Sequence, residues 1–275
     1  MDGPLVSAEW LAAHLDEVVV ADVRWYLDGR SGRDAYLAGH IPGAVFVDVD
    51  RDLAGPPSAA RGRHPLPEAE AFAQAMSALG IGDGDRVVAY DDAGGSVAAR
   101  LWWMLDALSH LAAVLDGGVQ AWAGSLRTGE EHRPTARFTP REWPPARLVE
   151  TADVERLRRD PRALIVDARA PERFTGALEP IDPRPGHIPG ARSAPWMDNL
   201  DPASGRFHSP ATLRARFAAL GAGEADAVVA YCGSGVTACH DLLALETVGV
   251  RARLYPGSWS QWSSDPDRSA ALGAG

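Results

Sequence analysis

The chain contains one internal repeat, and this repeat limits the folds that the sequence can adopt. Residues 39–44 and 186–191 both read Gly-His-Ile-Pro-Gly-Ala, and residues 87–90 and 228–231 both read Val-Val-Ala-Tyr. An Asp-x-Arg motif precedes each of the two Gly-His-Ile-Pro-Gly-Ala motifs by nearly the same distance. Motifs that recur in one order at similar spacing indicate two copies of a single domain.

Each copy alternates short apolar runs with helical patterns. This alternation is typical of an α/β domain in which helices flank a parallel sheet. We therefore predict an α/β protein with two tandem domains, each built on a parallel sheet. The predicted strands are 18–23, 86–90, 164–167 and 227–231, and the predicted helices are 68–79, 97–108, 210–220 and 236–247.

A segment rich in Pro, Arg, Thr and Glu separates the two copies. It runs from Ser125 to Arg147 and shows no clear periodicity, which is typical of a linker. A length of 275 residues suits two domains of ordinary size. We predict domains at 1–124 and 151–275, with a linker at 125–150.

Composition excludes several classes of partner. The formal net charge is −10, which argues against nucleic-acid binding, and no apolar run approaches the ~20 residues that span a bilayer. Two cysteines are too few for a disulfide framework, so we expect a reducing, cytoplasmic location. No cluster of His, Cys and Asp has metal-ligand spacing, and we expect neither a metal nor an organic cofactor.

The two copies differ where the Val-Val-Ala-Tyr strand ends. The first copy continues with Asp91, whereas the second continues with Cys232, followed by Gly233, Ser234, Gly235, Val236 and Thr237. A glycine-rich turn between a strand and a helix gathers backbone N–H groups around one point and stabilises an anion. A cysteine there favours the nucleophilic thiolate. The alternative is an inert buried thiol, which is our interpretation of Cys239 on the following helix.

With these motifs in view, the chain resembles the rhodanese family of thiosulfate and 3-mercaptopyruvate sulfurtransferases. The resemblance implies two rhodanese-like domains, of which the second is catalytic and the first is inactive. Asp91 agrees with this, since a carboxylate cannot carry sulfane sulfur. The resemblance also implies that Cys232 carries the sulfur as a persulfide and passes it to cyanide, to thioredoxin or to a small thiol.

The loop and two arginines bear on the sulfur donor. The sequence Cys-Gly-Ser-Gly-Val-Thr is similar to the loop of 3-mercaptopyruvate sulfurtransferases, whereas thiosulfate-specific members have cations after the cysteine. By the same resemblance, Arg173 and Arg184 bind the donor together with the loop residues Gly233, Gly235, Val236 and Thr237. A guanidinium group grips a carboxylate with two parallel hydrogen bonds. The alternative is that both arginines are ordinary surface residues.

Members of the mercaptopyruvate type suggest a relay in which an aspartate and a histidine act on the loop serine. Here that relay consists of Asp50, His64 and Ser234, with Asp50 farther from the histidine than in the family pattern. His40 and His187 lie in a motif that both copies share, so we interpret them as chain corners. By the same test Arg24 and Arg169 are structural and paired with carboxylates.

Three functions follow from this sequence. The first is sulfur transfer from 3-mercaptopyruvate to a thiol or cyanide, and the second is thiosulfate:cyanide sulfur transfer. The third is a non-catalytic protein that binds or relays sulfur. A rhodanese-like phosphatase is disfavoured, since that activity needs an arginine within the loop.

Overall fold

Two parallel β-sheets organise the computed structural model, which describes Met1 and residues 3–274. The chain divides into two units, and each unit holds one sheet. The first unit comprises Met1–Gly55, Leu66–Trp143 and Pro202–Phe207, and the second unit comprises Pro56–Pro65, Pro144–Asp201 and His208–Gly275. The predicted α/β class with one parallel sheet in each copy is confirmed. None of the described helices is long and apolar enough to cross a membrane.

The first unit contains a five-stranded sheet with the order β1-β5-β4-β2-β3, and every pair of neighbours is parallel. Its two central strands are short runs of Val and Ala that are buried throughout, as expected of a parallel sheet covered on both faces. The strands are β1 (Leu5–Val6), β2 (Val19–Asp22), β3 (Val45–Phe46), β4 (Val87–Tyr90) and β5 (Ala112–Leu115). The helices are α1 (Ala8–Ala13), α2 (Gly32–Ala38), α3 (Val49–Asp52), α4 (Ala69–Ala78) and α5 (Ala98–Ala107).

The second unit contains a four-stranded parallel sheet with the order β7-β6-β8-β9. A buried aromatic and aliphatic cluster, which includes Trp259 and Trp262, forms its core. The strands are β6 (Ala163–Asp167), β7 (Arg192–Ser193), β8 (Ala227–Tyr231) and β9 (Arg253–Leu254). The helices are α6 (Thr151–Leu157), α7 (Pro171–Thr175), α8 (Pro210–Ala219), α9 (Ala238–Thr247) and α10 (Ser258–Ser264).

The unit boundaries differ from the predicted domain limits in three places, one of which is residues 202–207 in the first unit. Most of the predicted linker belongs to the first unit, where Arg127 exchanges backbone hydrogen bonds with His40 and Thr139 donates to Asp83. Residues 56–65 belong to the second unit, where the backbone N–H of Arg63 donates to Ser260 at 3.0 Å. Irregular segments without periodicity are therefore fixed here by specific polar contacts.

The repeated Asp-x-Arg motif fixes the same corner in both units. Arg24 makes a bidentate ion pair with the buried Asp22, and its Nη2 donates to the carbonyl of Gly39 at 2.7 Å. Arg169 pairs with its own aspartate in the same way and donates to the carbonyl of Gly186 at 2.7 Å. The structural interpretation of both arginines is confirmed.

The two histidines of the repeated motif are buried and bonded to the backbone. Nδ1 of His40 lies 2.9 Å from the carbonyl of Tyr36, and Nδ1 of His187 lies 2.8 Å from the carbonyl of Phe174. Each ring also stacks on the side chain of that same partner. These contacts confirm that both histidines are chain corners.

Asp241 is a buried carboxylate in α9 with incomplete hydrogen bonding. Nδ2 of Asn199 donates to its Oδ1 at 2.7 Å, while Oδ2 has no partner among the residues that the structure describes. Nη1 of Arg216 donates to Oδ1 of the same Asn199 at 2.7 Å, so Asn199 links the guanidinium of Arg216 to the Asp241 carboxylate. Burial raises the pKa of Asp241 from 3.8 to about 7, against the opposing effects of Arg216 and Asn199.

Asp241→Asn is expected to change how stability depends on pH. The native state keeps a proton on Asp241 that the unfolded chain releases near pH 4, so native stability falls as pH rises from about 4 to 7. The variant lacks this loss and gains stability relative to the wild type at pH 8. The upper limit of the gain is about 4 kcal/mol, at about 1.4 kcal/mol per pKa unit. Urea unfolding at pH 5 and pH 8 measures the difference, and equal pH dependence in both proteins would contradict it.

Candidate active site

Cys232 lies directly after β8, at the carboxyl edge of the sheet of the second unit. β8 pairs with β6 on one side and with β9 on the other, so the cysteine follows an interior strand. This edge is where open α/β sheets bind their ligands. Residues 232–237 form a loop that leads into α9, and the Cys232 side chain is almost fully buried within it.

Gly235 shapes the loop around the cysteine sulfur. Its backbone N–H donates to Sγ of Cys232 at 3.1 Å, which stabilises negative charge on the sulfur. The residue has a φ of +79°, and a Cβ atom placed there would lie 2.6 Å from the carbonyl oxygen of Pro256. Only glycine avoids both the backbone strain and this collision.

The start of α10 supports the same loop from the other side. The hydroxyl of Ser258 accepts a hydrogen bond from the N–H of Cys232 at 3.1 Å and donates to the carbonyl of Tyr255 at 2.9 Å. The N–H of Trp259 donates to the carbonyl of Cys232 at 2.9 Å. Ser258 adopts a φ of 53°, which is rare for a non-glycine residue and fits a position held by surrounding contacts. Sequence reasoning missed this support.

Cys239 is the second residue of α9 and lies in the protein core. It is fully buried, and its thiol donates to the carbonyl of Gly235 at 3.4 Å. Both Cys232 and Cys239 are free thiols. The interpretation of Cys239 as a packing residue is confirmed.

The first unit shows how a loop of this kind holds an anion. Asp91, at the position of Cys232, is completely buried and accepts four backbone hydrogen bonds. Ala93 and Gly95 donate to Oδ1 at 2.9 and 2.8 Å, and Val97 and Ala98 donate to Oδ2 at 2.8 and 2.9 Å. Burial raises the pKa of Asp91, and the four N–H donors act in the opposite direction.

The donor groups of the two loops correspond when they are counted back from their helices. Gly95 stands three residues before the first residue of α5, and Gly235 stands three residues before the first residue of α9. Both glycines have a positive φ, and both donate to the side chain at the strand end. By this correspondence, the N–H groups of Thr237 and Ala238 occupy the positions from which the first unit binds the second carboxylate oxygen.

Two guanidinium groups cover the residue beside the nucleophile. A Cβ atom at Gly233 would lie 3.0 Å from Nη2 of Arg63 and 3.4 Å from Nη1 of Arg173. The sequence predicts Arg173 at this site but not Arg63, which directly precedes the predicted His64. We call Arg63 and Arg173 the arginine pair.

Two buried carboxylates hold the arginine pair in place. Asp182 accepts from Arg63 through Oδ1 and from Arg173 through Oδ2, the latter at 2.8 Å. Glu179 accepts from Nε and Nη2 of Arg173 at 3.2 and 2.8 Å and also from Arg169. Burial raises the pKa of Asp182, while Arg63 favours its ionised form.

The predicted proximity of His64 and Ser234 is present in the structure, and their role in a relay stays a prediction. Nδ1 of His64 lies 2.7 Å from Oγ of Ser234, and both side chains are buried. Asp50 belongs to the first unit, in α3, and its Oδ2 accepts a hydrogen bond from Trp25 at 2.9 Å. The role of Asp50 in a relay stays a prediction.

Arg184 binds the backbone around the end of α10, and its role in donor binding stays a prediction. Its guanidinium donates to four backbone carbonyls at the end of α10 and just beyond it. Nε donates to Ser263 at 2.9 Å and Nη1 donates to Arg268 at 2.9 Å, while Nη2 donates to Trp262 at 3.3 Å and to Asp265 at 2.8 Å. Arginine side chains commonly satisfy the last carbonyls of a helix in this way.

No group of three or more His, Cys, Asp and Glu side chains in the described part of the chain could hold a metal ion. Two segments of the chain, residues 7–125 and 150–265, match the family described as Rhodanese-like domain. The chain belongs to the rhodanese family.

Relatives of this rhodanese protein cover its full length. A protein of Pseudomonas aeruginosa named "Probable 3-mercaptopyruvate sulfurtransferase" is 44% identical, with 98% of each chain covered. The 3-mercaptopyruvate sulfurtransferase of Escherichia coli is 35% identical, with 95% of each chain covered. A Mycobacterium tuberculosis relative, provisionally named a thiosulfate sulfurtransferase, is 39% identical and covers 98% of this chain and 97% of its own.

Solved structures agree with this assignment. The 3-mercaptopyruvate sulfurtransferase from Leishmania major superposes with a TM-score of 0.84 at 31% identity, covering 95% of this chain and 74% of its own. The predicted family and tandem architecture are confirmed, and the chain is an enzyme of the sulfurtransferase class.

Gly235→Ala is expected to damage the loop, and Gly249→Ala supplies a matched control. Both glycines have a positive φ near +80°, but a Cβ at Gly249 would meet nothing within 4 Å. The control should lose about 1–2 kcal/mol of stability from backbone strain alone. Gly235→Ala should lose more, because its Cβ collides with Pro256, and it should also lose sulfur transfer. Urea unfolding and turnover measure both effects, and equal results for the two variants would refute this role of Gly235.

Proposed function

We propose that this rhodanese moves sulfane sulfur from 3-mercaptopyruvate to a thiol or cyanide acceptor through a persulfide on Cys232. The observation that carries the proposal is the hydrogen bond from the Gly235 N–H to Sγ of Cys232, in a loop with two arginines beside it. A thiolate held by backbone amides is the nucleophilic form of cysteine. The relatives that are named 3-mercaptopyruvate sulfurtransferases support 3-mercaptopyruvate as the donor.

The Asp91 loop supports a persulfide as the species that the Cys232 loop holds. A carboxylate places its second oxygen one bond beyond the central atom, and a persulfide places its outer sulfur one bond beyond Sγ. In the first unit that second oxygen accepts from two N–H groups at the helix start. By correspondence, the outer sulfur in the second unit would accept from Thr237 and Ala238. Fixed amides aimed at developing charge lower the barrier without reorganisation.

The arginine pair supplies the contacts for the donor. 3-Mercaptopyruvate carries a carboxylate and a ketone beside its thiol, so it needs positive charge at some distance from the attacked sulfur. The guanidinium groups of Arg63 and Arg173 lie over Gly233, next to the nucleophile. Donation to the carboxylate and to the ketone oxygen would hold the donor sulfur in line with Sγ. The buried Glu179 keeps Arg173 in this orientation.

In the first step the Cys232 thiolate attacks the sulfur of the donor. A sulfur–sulfur bond forms, the carbon–sulfur bond breaks, and its electron pair leaves with the pyruvate enolate. The enolate takes a proton to become pyruvate. Ser234, hydrogen-bonded to His64 at 2.7 Å, is the group that we assign to this proton transfer.

In the second step an acceptor removes the outer sulfur. Cyanide attacks it, the sulfur–sulfur bond breaks, and thiocyanate leaves while Cys232 returns to the thiolate. A dithiol such as that of thioredoxin takes the sulfur onto one thiol, and its second thiol then releases hydrogen sulfide and closes a disulfide. Atoms and charge balance in both routes without a metal or an organic cofactor.

Thiosulfate is the second candidate donor. The loop itself is neutral at Gly233 and Ser234, which favoured 3-mercaptopyruvate in the sequence. The arginine pair, however, brings two cations to Gly233 from other parts of the second unit. The Mycobacterium tuberculosis relative with a thiosulfate sulfurtransferase name gives this candidate further support.

Cys232→Ser is expected to abolish sulfur transfer and leave the fold intact. A hydroxyl at this position cannot form a persulfide, but it fills the same space in the loop. Cys239→Ala is the matched control. The Cys239 thiol lies in the core, so the variant that lacks it should still acquire sulfur on Cys232. Mass spectrometry after incubation with donor and no acceptor measures the addition of one sulfur atom per chain. Sulfur on the Cys232→Ser protein would refute the mechanism.

Ser234→Ala is expected to slow turnover with 3-mercaptopyruvate more than with thiosulfate. The pyruvate enolate needs a proton, whereas sulfite leaves as a stable anion that does not. Loss of a positioned proton donor typically costs about 10²-fold in rate or more. Turnover with each donor, using cyanide as acceptor in wild type and variant, gives the comparison. Equal losses with both donors would show that Ser234 has no part in enolate protonation.

The same assay on the wild type tests the choice of donor. A tenfold or greater preference for thiosulfate, about 1.4 kcal/mol, would reverse that choice.

A further inference from the structure

Asp182 offsets part of the charge of the arginine pair before any donor arrives. Asp182 bridges the two guanidinium groups, with one carboxylate oxygen on Arg63 and the other on Arg173. Its side chain is only 1% exposed, so solvent does not screen these contacts. An internal carboxylate therefore sits where the pair would otherwise present its full charge.

The same balance extends through the wider cluster. Arg169 pairs with Asp167 and with Glu179, and Glu179 also holds Arg173. Together with Asp182 and Arg63, the cluster contains as many carboxylates as guanidinium groups. The nearest charge to the donor is thus positive, but the cluster as a whole carries no net charge.

Donor atoms remain for a ligand despite this pairing. Nε of Arg63 is buried and has no hydrogen-bond partner among the described residues. Nη2 of Arg63 and Nη1 of Arg173 lie 3.0 and 3.4 Å from the Cβ position of Gly233, and neither donates to Asp182. Nη2 of Arg173, which donates to Asp182, lies 3.5 Å from the same position. A ligand can therefore be gripped without displacing Asp182.

We propose that Asp182 determines which donor charge the site prefers, by offsetting one of the two positive charges of the arginine pair so that a monoanion is favoured over a dianion. This inference rests on the proposed function. Coulomb energy scales with the product of the charges, so any change in the charge of the pair acts twice as strongly on thiosulfate as on 3-mercaptopyruvate. Asp182 is a specificity-determining residue in this scheme and does not touch the reacting atoms.

Asp182→Asn tests the inference through a ratio of two rates. The quantity is kcat/KM for thiosulfate divided by kcat/KM for 3-mercaptopyruvate, with cyanide as acceptor. Removing one negative charge should raise this ratio about tenfold or more over wild type, a difference of about 1.4 kcal/mol. Asp182→Glu keeps the charge and should restore a ratio close to that of the wild type.

Asp226→Asn is the matched control for net charge. Asp226 forms an exposed ion pair with Arg162 just before β8, so the length of that strand separates it from Cys232 by roughly 20 Å. The variant changes the charge of the chain by the same amount and should leave the ratio unchanged. A rise equal to that of Asp182→Asn would overturn the inference, because it would make the effect one of overall charge.

Arg63→Gln gives a second test that does not depend on the fold of Asp182→Asn. It lowers the charge of the arginine pair by one, so the ratio should fall. A folded Asp182→Asn protein with an unchanged ratio overturns the inference, and so does an unchanged ratio in Arg63→Gln if the first variant fails to fold. A wild-type protein that takes sulfur from neither donor overturns the proposed function as well, which separates the two failures.

Discussion

Backbone amides aimed at the end of an interior strand are the interaction on which both halves of this protein depend. In the first unit they hold the carboxylate of Asp91 with four hydrogen bonds, and in the second unit the amide of Gly235 donates to the sulfur of Cys232. Parallel strands set these amides at one edge of each sheet, and the helix that follows adds its positive end. The sheet and helix therefore serve mainly to aim a few N–H groups.

Around the second loop, the side chains supply what the amides lack. Arg63 and Arg173 bring positive charge to Gly233, and Asp182 limits how much of that charge a ligand meets. His64 reaches Ser234 from a segment that is distant in sequence. In the proposed reaction the amides hold the sulfur and the arginines hold the rest of the donor.

Local patterns in the sequence were enough to predict the fold class and the loop of Cys232. The repeated Val-Val-Ala-Tyr strands became β4 and β8, and Gly235 lies in the tight turn that its lack of a side chain permits. Strands such as β3 and β7 contain two residues each and are defined by pairing with a neighbour, which no local pattern reveals. The differences at the site also come from contacts between segments that are distant in sequence.

Long-range contacts around the site are what the sequence could not reveal. The guanidinium of Arg184 finds its partners at the end of α10, a helix of Ser, Trp and Gln without a clear helical pattern, and just beyond it. Arg63 is brought to Gly233 by the packing of residues 56–65 in the second unit, and no spacing in the chain indicates that approach.

The buried Asp91 of the first unit distinguishes that loop from the Cys232 loop of the second unit. Its carboxylate accepts the hydrogen bonds of these amides, so the loop of the first unit needs no ligand to complete them. The second half, in the proposed reaction, completes the same set only while an extra sulfur atom is in transit. In the first loop the acceptor is therefore a fixed part of the protein, whereas in the second loop the proposed reaction supplies it with each turnover.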